Sequence, residues 1–404
     1  MPGINRKFDR ESHGLGDARP CLREGGLKGS SGRVRERKGT IVFVAWRELR
    51  FARGRFLLIG AVVALITLLV GFLSGLTGGL AAQNISSVLQ LPGDRLVLQQ
   101  PENSDPSYAT SSLDKNTVTA WEQAAGVESV TPIGIVQSRA SASGTDDPTG
   151  VALYGLPQHA SGTQSNPLFD LAPAHDDEVG VSSGAADDLG VETGDTISIT
   201  GTDFTVSVVG DDLWYSHTPV VVLTPEAWSE ASKRVGGTGE ATVLAVTGNA
   251  DWEAVGAQTG TVAETPLASL TALEAFRSEI GSLGLMIAML FGISALVVGA
   301  FFTVWTMQRA SDIAVLKALG ATTGSLVRDS LGQASIVLVA GIGVGLAAVI
   351  GLGTLAGQAL PFIISPLTTL APAVVMAVLG LAGAAFALRS VTKADPLTAL
   401  GSNR

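Results

Sequence analysis

Two long runs without a charged residue constrain this chain more than any other feature. The run from Ile280 to Gln308 carries no charge over 29 residues, and the run from Ser330 to Leu388 carries none over 59 residues. About 20 apolar residues in a helix, rising ~1.5 Å each, cross the ~30 Å hydrocarbon core of a bilayer. The first run is therefore long enough for one span and the second for two, which predicts a membrane protein.

A third apolar segment follows an arginine-rich stretch near the N-terminus, so the sequence predicts four transmembrane helices. The longer uncharged run is divided by Pro361, Pro366 and Pro372, because proline interrupts a helix. A short outer loop at 359–368 is predicted between the two halves of that run. The predicted spans cover residues 56–80, 280–308, 331–358 and 369–388.

Charge is distributed unevenly around these spans. Between Ala81 and Ser282 there are 27 Asp and Glu against 6 Lys and Arg, a formal charge of −21, whereas the remaining residues carry +11. Lys and Arg beside a span favour the cytoplasmic side of the membrane. We therefore expect a multi-pass protein of the cell membrane with both termini cytoplasmic and the acidic segment 81–279 outside.

The acidic segment is long enough for an extracytoplasmic domain between the first and second spans, and its patterns predict an α+β fold. The single cysteine, Cys21, lies far from it, so no intramolecular disulfide is available. Helices are predicted at Leu113–Ala125, Pro225–Arg234 and Asp251–Ala257. Strands are predicted at Arg95–Gln99, Ser129–Val136, Val151–Leu156, Thr196–Ile199, Phe204–Val209, Val220–Leu223 and Thr242–Val246.

The two ends of the chain are predicted to lie on the cytoplasmic side. Residues 1–41 are polar, without apolar periodicity, and are expected to be a disordered tail and an over-extended gene start. Residues 42–55 alternate aromatic and arginine side chains, which favours an interfacial cytoplasmic helix. Residues 389–404 are predicted to form a cytoplasmic tail.

The segment 309–330 is predicted to couple the membrane to a soluble partner. Charged Arg309, Asp312 and Lys317 alternate with apolar side chains, a pattern typical of an amphipathic helix at the membrane surface. No GxxxxGK[ST] phosphate loop occurs in the sequence, so the chain lacks the residues for ATP hydrolysis by that chemistry. We expect the energy to come from a partner that docks on this segment.

Small residues recur every three or four residues along the first two spans. The second span carries such a stripe from Ala288 through Gly292 and Ala295 to Gly299. Such spacing lets another helix approach closely, and it predicts tight packing and dimer contacts. The alternative is that glycine is simply frequent in this chain. The corresponding first-span residues are Gly71, Gly75 and Gly79.

Three stretches give the chain a resemblance to a known family. They are WYSHTPVVVLTPEAW in the outer segment, RASDIAVLKALGAT after the second span and KADPLTAL near the C-terminus. With four spans and one large outer segment, the chain from about Val42 onward resembles the FtsX-like permeases of MacB-type ABC transporters, and among them the haem-exporter permeases of Gram-positive bacteria. The resemblance implies a homodimeric permease, without enzymatic activity of its own, that binds two copies of a separate cytoplasmic ABC ATPase.

In that arrangement the partner binds ATP and Mg²⁺, and the permease has no intrinsic cofactor, no resident metal and no nucleic-acid partner. Haem is the expected substrate. Glu279 ends the outer side of the second span, and Met286 follows seven residues later on about the same helical face. With Met289 they form the predicted haem site, since iron accepts oxygen and sulfur ligands. The alternative is an ordinary interfacial carboxylate with two methionines as apolar filler.

Histidine is the other candidate iron ligand, but His13, His159, His175 and His217 show no paired helical spacing. Structural or solvated roles are expected for them, with Tyr215 and His217 as the second choice for a haem site. Two alternatives to haem export stay open from the sequence. One is an FtsX-like protein that transmits force to a cell-wall hydrolase, and the other is an exporter of peptides or lipoproteins.

Overall fold

A computed structural model of the protein describes residues 53–145, 147–158, 166–308, 315, 319–320 and 322–392. Within these residues, four helices are long and apolar enough to cross a membrane. A sheet-rich domain lies between the first and the second of them. The predicted fold class is thereby confirmed. The four helices are α1 (Arg53–Ile85), α7 (Glu274–Gln308), α8 (Thr323–Ala356) and α9 (Pro366–Thr392).

The membrane helices extend beyond the predicted spans, because hydropathy marks only the part of a helix that lies in lipid. Helix α1 continues five residues past position 80, and α7 begins six residues before position 280. Helix α8 begins eight residues before position 331, since Thr322 caps it by accepting a hydrogen bond from the Ser325 N–H. The uncharged run is interrupted between Ala356 and Pro366, and Pro366 is the first residue of α9. The predicted interruption is wrong at Pro372, which lies inside α9.

Close packing of α1 against α8 forms the centre of the membrane part. A Cβ atom at Gly341 would lie 2.9 Å from the Gly60 carbonyl oxygen, and one at Gly345 would lie 2.6 Å from Thr67. These two helices therefore approach at positions where one of them has no side chain. A core that includes Val63, Val298, Phe302, Leu338 and Met376 joins all four helices.

The outer domain is built on a ten-stranded sheet in the order β10-β1-β9-β2-β3-β8-β4-β6-β5, with β7 paired to β8. Strand β2 is the longest, and its first half pairs with β9 and its second half with β3. A further β2–β5 pairing closes β2, β3, β8, β4, β6 and β5 into a ring. The strands are β1 Arg95–Gln99, β2 Val127–Ala142, β3 Thr149–Gly155, β4 Glu178–Ser182, β5 Thr196–Ile199, β6 Thr202–Gly210, β7 Trp214–Tyr215, β8 Thr218–Leu223, β9 Val243–Gly248 and β10 Thr261–Glu264.

Consecutive residues of these strands belong to two different hydrophobic cores. Val151, Leu153 and Val221 belong to a cluster that all six ring strands share with two short helices. Their neighbours Ala152 and Val220 belong to a second cluster, against which the ends of α1 and α7 pack. The short helices of the domain are α2 Lys115–Glu122, α3 Ser183–Leu189, α4 Pro225–Arg234, α5 Trp252–Thr259 and α6 Pro266–Ser269.

Each of the seven predicted strands overlaps an observed strand, and each of the three predicted helices overlaps an observed helix. The sequence prediction missed β4, β7, β10 and the helices α3 and α6. All of these elements are short, from two to seven residues. One of them, β7, forms half of the hairpin that meets the membrane helices.

Candidate functional site

The hairpin of β7 and β8 ends in a two-residue turn, Ser216–His217. Both residues have left-handed backbones, with φ of 48° and 64°. Two left-handed residues are typical of the tight turn that matches the twist of a β-hairpin. A left-handed backbone costs a residue other than glycine roughly 1–2 kcal/mol, so contacts around the turn must offset that cost.

The backbone of this turn closes the end of α1. The Ser216 N–H donates to the Asn84 carbonyl at 3.0 Å, and the His217 N–H donates to the Gln83 carbonyl at 3.0 Å. The last carbonyls of a helix have no partner within the helix, so the turn satisfies two of them. The first membrane helix is thus fixed to the outer domain by its main chain.

The residues after α1 extend this attachment. The Ser87 N–H and hydroxyl both donate to the Trp214 carbonyl, at 3.1 and 2.8 Å. The Ser86 hydroxyl accepts from the Trp214 N–H at 2.8 Å. The Ser87 hydroxyl also lies 2.8 Å from the Tyr154 hydroxyl on β3. Hydrogen bonds therefore bind both the hairpin and the central sheet to the outer end of the first span.

A side-chain cluster joins the same turn to the second span. The His217 Nε2 atom lies 2.6 Å from Glu279 Oε1, near the start of α7. The Asn84 Nδ2 atom donates to Glu279 Oε2 at 2.7 Å and lies 3.0 Å from His217 Nε2. Asn84 is buried, whereas the side chains of His217 and Glu279 are 33% and 32% exposed. This Asn84–His217–Glu279 cluster connects α1, the outer domain and α7.

The cluster does not satisfy every polar atom. An imidazole Nε2 has either one hydrogen or one lone pair, so it serves either Glu279 or Asn84, and not both. The buried Asn84 Oδ1 atom has no hydrogen-bond partner among the described residues. An unpaired buried acceptor costs about 1–3 kcal/mol. Short contacts therefore hold the cluster together, while polar atoms without a hydrogen-bond partner destabilise it.

Sequence reasoning identified Glu279 and treated His217 as a second choice, and the structure brings these two side chains into contact. Tyr215, the other second-choice residue, is buried and packs edge-on against Tyr108 and Tyr154, with ring centroids 6.4 and 6.0 Å away. Burial raises the pKa of all three phenols well above the ordinary value. Asn84 was missed, because an uncharged amide at the end of an apolar helix carries little signal in a sequence.

The other predicted haem residues lie on the uncovered part of α7. Met286 and Met289 are 46% and 59% exposed. A Cβ atom built at Gly284 or at Gly292 would meet nothing within 4 Å. Of the four spans, α7 is the least buried within the chain. An apolar face of α7 therefore continues inward from Glu279 without cover from the other residues that the structure describes.

The glycines of the first span face the chain itself. A Cβ atom at Gly71 would lie 2.7 Å from Val349 of α8. One at Gly75 would collide with the Phe362 ring, and one at Gly79 with the Pro361 carbonyl. The face predicted to serve a dimer is thus filled by α8 and the loop before α9. In the second span, Gly299 faces Gly383 of α9, at 3.8 Å from a built Cβ atom to the Gly383 Cα.

Several predicted features lie outside the described residues. They include the coupling residues Arg309, Asp312 and Lys317 and the histidines His13 and His159. The N-terminal tail 1–41, most of the interfacial segment 42–55 and the end of the C-terminal tail also fall there. His175 is described and exposed. The predictions for the coupling segment therefore rest on the sequence alone.

Four spans with a large domain between the first two, attached by hydrogen bonds to both of those helices, define a multi-pass membrane protein. The family described as "MacB-like periplasmic core domain" matches residues 56–262, more than half of the chain. The family described as "FtsX-like permease C-terminal" matches residues 284–396. The protein belongs to the FtsX/MacB-type family of ABC transporter permeases, a family that works with a cytoplasmic ATPase.

The similarity to individual relatives extends over nearly their whole length. The protein named "Putative hemin transport system permease protein HrtB" of Staphylococcus haemolyticus is 27% identical over 363 residues, 89% of this chain and 99% of the relative. An "Uncharacterized ABC transporter permease" of Mycobacterium tuberculosis is 24% identical over 368 residues, with the same coverage. The crystal structure of the periplasmic region of MacB from Actinobacillus actinomycetemcomitans is 11% identical, covers 46% of this chain and 94% of that chain, and has a TM-score of 0.30.

Proposed function

We propose that this chain is the permease subunit of an ABC-type efflux pump that takes haem from the outer leaflet of the cell membrane and expels it outward. The observation that carries the proposal is the position of Glu279. This carboxylate is one-third exposed at the outer end of α7, directly above an uncovered apolar helix face. The hemin permease named among the relatives supports the choice of cargo.

The chemistry of haem fits such a place. Haem is flat and largely apolar, so its ring partitions among acyl chains while its propionates remain at the headgroup level. A site for it needs an apolar slot near the outer face and a group that meets the iron. Gly284 leaves room for a ring beside α7, and Met286 lies on the exposed part of that helix. Glu279 would be the oxygen ligand and Met286 the sulfur ligand.

Energy would come from two copies of a separate ATPase that bind ATP and Mg²⁺, one on each subunit of a homodimer. Arg309, Asp312 and Lys317 would form the segment on which the ATPase docks. That segment and both termini would lie on the cytoplasmic side. The uncovered face of α7 supports the dimer, because a second copy packed there would enclose the slot that a single chain leaves open to lipid.

The test is the visible absorption spectrum of the full chain, purified in detergent and titrated with haem. Glu279→Ala combined with Met286→Ala should shift or remove the absorption of bound haem and reduce haem tolerance in cells. Val344→Ala is the matched control, since Val344 is an exposed apolar residue of a different span, α8. An unchanged spectrum with unchanged tolerance would overturn the proposed site and favour a force-transmitting or peptide-exporting function.

A further inference from the structure

We propose that His217 controls access to Glu279. In the arrangement described above, His217 at the tip of the β7–β8 hairpin lies 2.6 Å from one oxygen of this carboxylate, and an incoming ligand must displace the His217 side chain to reach that oxygen. Capture of the substrate would then release the second span from the hairpin. The inference rests on the proposed function, in which Glu279 is the group that meets haem iron.

Competition for Glu279 follows from its two oxygens. Oε1 is 2.6 Å from His217 Nε2, and Oε2 accepts from Asn84 Nδ2 at 2.7 Å. Each carboxylate oxygen has two lone pairs, so one hydrogen bond does not by itself prevent an oxygen from binding iron. The His217 imidazole, however, lies against Oε1 at hydrogen-bond distance, and a porphyrin whose iron approaches that oxygen needs the same space. Approach of haem to Oε1 and the His217 contact therefore compete.

The His217–Glu279 contact is suited to opening, because the arrangement that forms it leaves polar atoms unpaired and holds the turn in an unfavourable backbone conformation. The Nε2 atom of His217 has two partners and can serve one, and the buried Asn84 Oδ1 atom has none among the described residues. The turn that presents His217 is left-handed at two residues that are not glycine. Costs of this kind persist where the surroundings enforce them, and they reduce the work needed to open the contact.

Main-chain hydrogen bonds determine which elements stay together when the His217 side chain moves. Ser216 and His217 remain bound to the end of α1 through their N–H groups, whatever the His217 side chain does. A second ion pair between the outer domain and the first turns of α7 joins Arg277 to Asp105 at 2.6 Å, and both side chains are exposed. Exposed pairs of this kind contribute little. Loss of the His217 contact would therefore release α7 from the tip of the hairpin and leave Glu279 bound to α1 through Asn84, while the hairpin stays with α1.

Two substitutions test the side-chain contact and the iron ligand one at a time, and a third serves as a rescue variant. His217→Asn keeps a residue that tolerates the left-handed backbone, but its side chain is too short to reach Glu279. Glu279→Gln keeps a side chain that can exchange hydrogen bonds with His217 and Asn84 but is a poor iron ligand. His217→Gln restores a donor of sufficient length and serves as the rescue variant.

Haem titration of the full chain is the first measurement. Hydrogen bonds to charged groups are worth about 1.5–3 kcal/mol, so His217→Asn should tighten Glu279-dependent haem binding by about tenfold or more, and His217→Gln should return it toward the wild-type value. Glu279→Gln should weaken binding. Equal affinities in wild type and His217→Asn would overturn the inference, and so would weaker binding in His217→Asn, which would make His217 itself an iron ligand.

The second measurement is the distance between spin labels on the outer domain and on α7. Arg139→Cys and Ser282→Cys are exposed positions for labelling, in a Cys21→Ser background that contains no other cysteine. Haem should shift the distance distribution in the wild-type sequence, and His217→Asn should show the shifted distribution without haem. Glu279-dependent binding with an unmoved distribution would overturn the inference alone. Haem binding that is insensitive to Glu279 would overturn the proposed function.

Discussion

The indole of Trp228 on α4 lies against two glycines that face each other across β2 and β3. Gly134 and Gly155 are cross-strand partners, and the indole N–H donates to the Leu153 carbonyl at 3.1 Å. A Cβ atom at Gly155 would lie 2.7 Å from the ring, and one at Gly134 would be closer still. The two glycines therefore make the space that the largest side chain of this helix needs.

Gly134→Ala should destabilise the protein, because overpacking of a dense core typically costs about 1–3 kcal/mol. Gly150→Ala is the matched control in the neighbouring strand. Its built Cβ atom meets only Thr218 Cγ2, at an ordinary contact distance of 3.6 Å. The measurement is the thermal unfolding midpoint of the detergent-purified chain. Equal midpoints for the two variants would show that Trp228 moves aside freely.

Asp188 on α3 provides a prediction about pH. Partial burial, together with the Asp187 and Asp212 carboxylates, raises the pKa of Asp188. Since the folded state holds this proton more tightly than the unfolded state, stability falls as pH rises from the ordinary carboxyl pKa of about 4 through the raised value. Asp188→Asn should be more stable than the wild type at pH 7, with the advantage shrinking towards pH 4.

Thermal midpoints measured at both pH values test this. Glu128→Gln, a neutralisation at an exposed position elsewhere on the domain, is the control. An advantage of Asp188→Asn that is the same at pH 4 and pH 7 would contradict the electrostatic cause.

At the scale of elements, hydropathy located all four spans but not their ends. Helices α1 and α7 continue into the outer domain, and α8 begins with charged residues that include Arg328 and Asp329. The ends are set by caps and by contacts with other segments, which a window of hydropathy does not contain. Strand β7 has two residues, and its structure comes from its pairing with β8 and its hydrogen bonds to Ser86 and Ser87. Such a strand has no periodicity of its own to detect.

Gly75→Leu tests the packing of the first span against its own chain. A side chain there collides with the Phe362 ring, which also packs on Phe72 with ring centroids 4.9 Å apart. The variant should lower the thermal midpoint of the purified protein. Gly60→Leu on the same helix is the control, because a Cβ atom there meets nothing within 4 Å. A midpoint that matches this control would mean that the loop before α9 yields without cost.

The sequence predicts that the ATPase docks on residues 309–330. Reversal of both charges, as Asp312→Lys with Lys317→Glu, should leave the permease in the membrane but abolish co-purification with its ATPase and stimulation of ATP hydrolysis. The same double reversal at an exposed pair of the outer domain, Glu230→Lys with Lys233→Glu, is the matched control, because it too leaves the net charge unchanged. Full retention of complex and activity in the double variant would exclude this segment as the docking site.

At the scale of the whole molecule, the candidate site was predictable in part. Glu279 was visible because a carboxylate at the end of an uncharged run is conspicuous. Its contact with His217 was not, because the two residues are 62 positions apart and meet only after the sheet has folded. Asn84 was hidden for the same reason. A sequence identifies residues whose chemistry conflicts with their surroundings, whereas the fold decides which of them meet.

The last prediction concerns the dimer interface, which we now expect on a different face of the molecule from the one that the sequence indicated. Gly79 was the predicted dimer contact, but the loop before α9 already occupies its surface. The exposed face of α7 is the better candidate, with Leu285 and Met289 on it. In a two-fold dimer, a residue near the axis lies close to its own copy. Single cysteines at these two positions, in a Cys21→Ser background, should therefore crosslink subunits in membranes.

Cysteine at Gly299 is the control, because this position faces Gly383 of the same chain and should not crosslink. Crosslinked dimer would be measured by non-reducing electrophoresis after mild oxidation. If Leu285 and Met289 give none while a position on α1 does, the subunits meet through the first span. In that case the apolar face of α7 is covered by lipid, and the haem slot proposed beside it opens directly to the membrane.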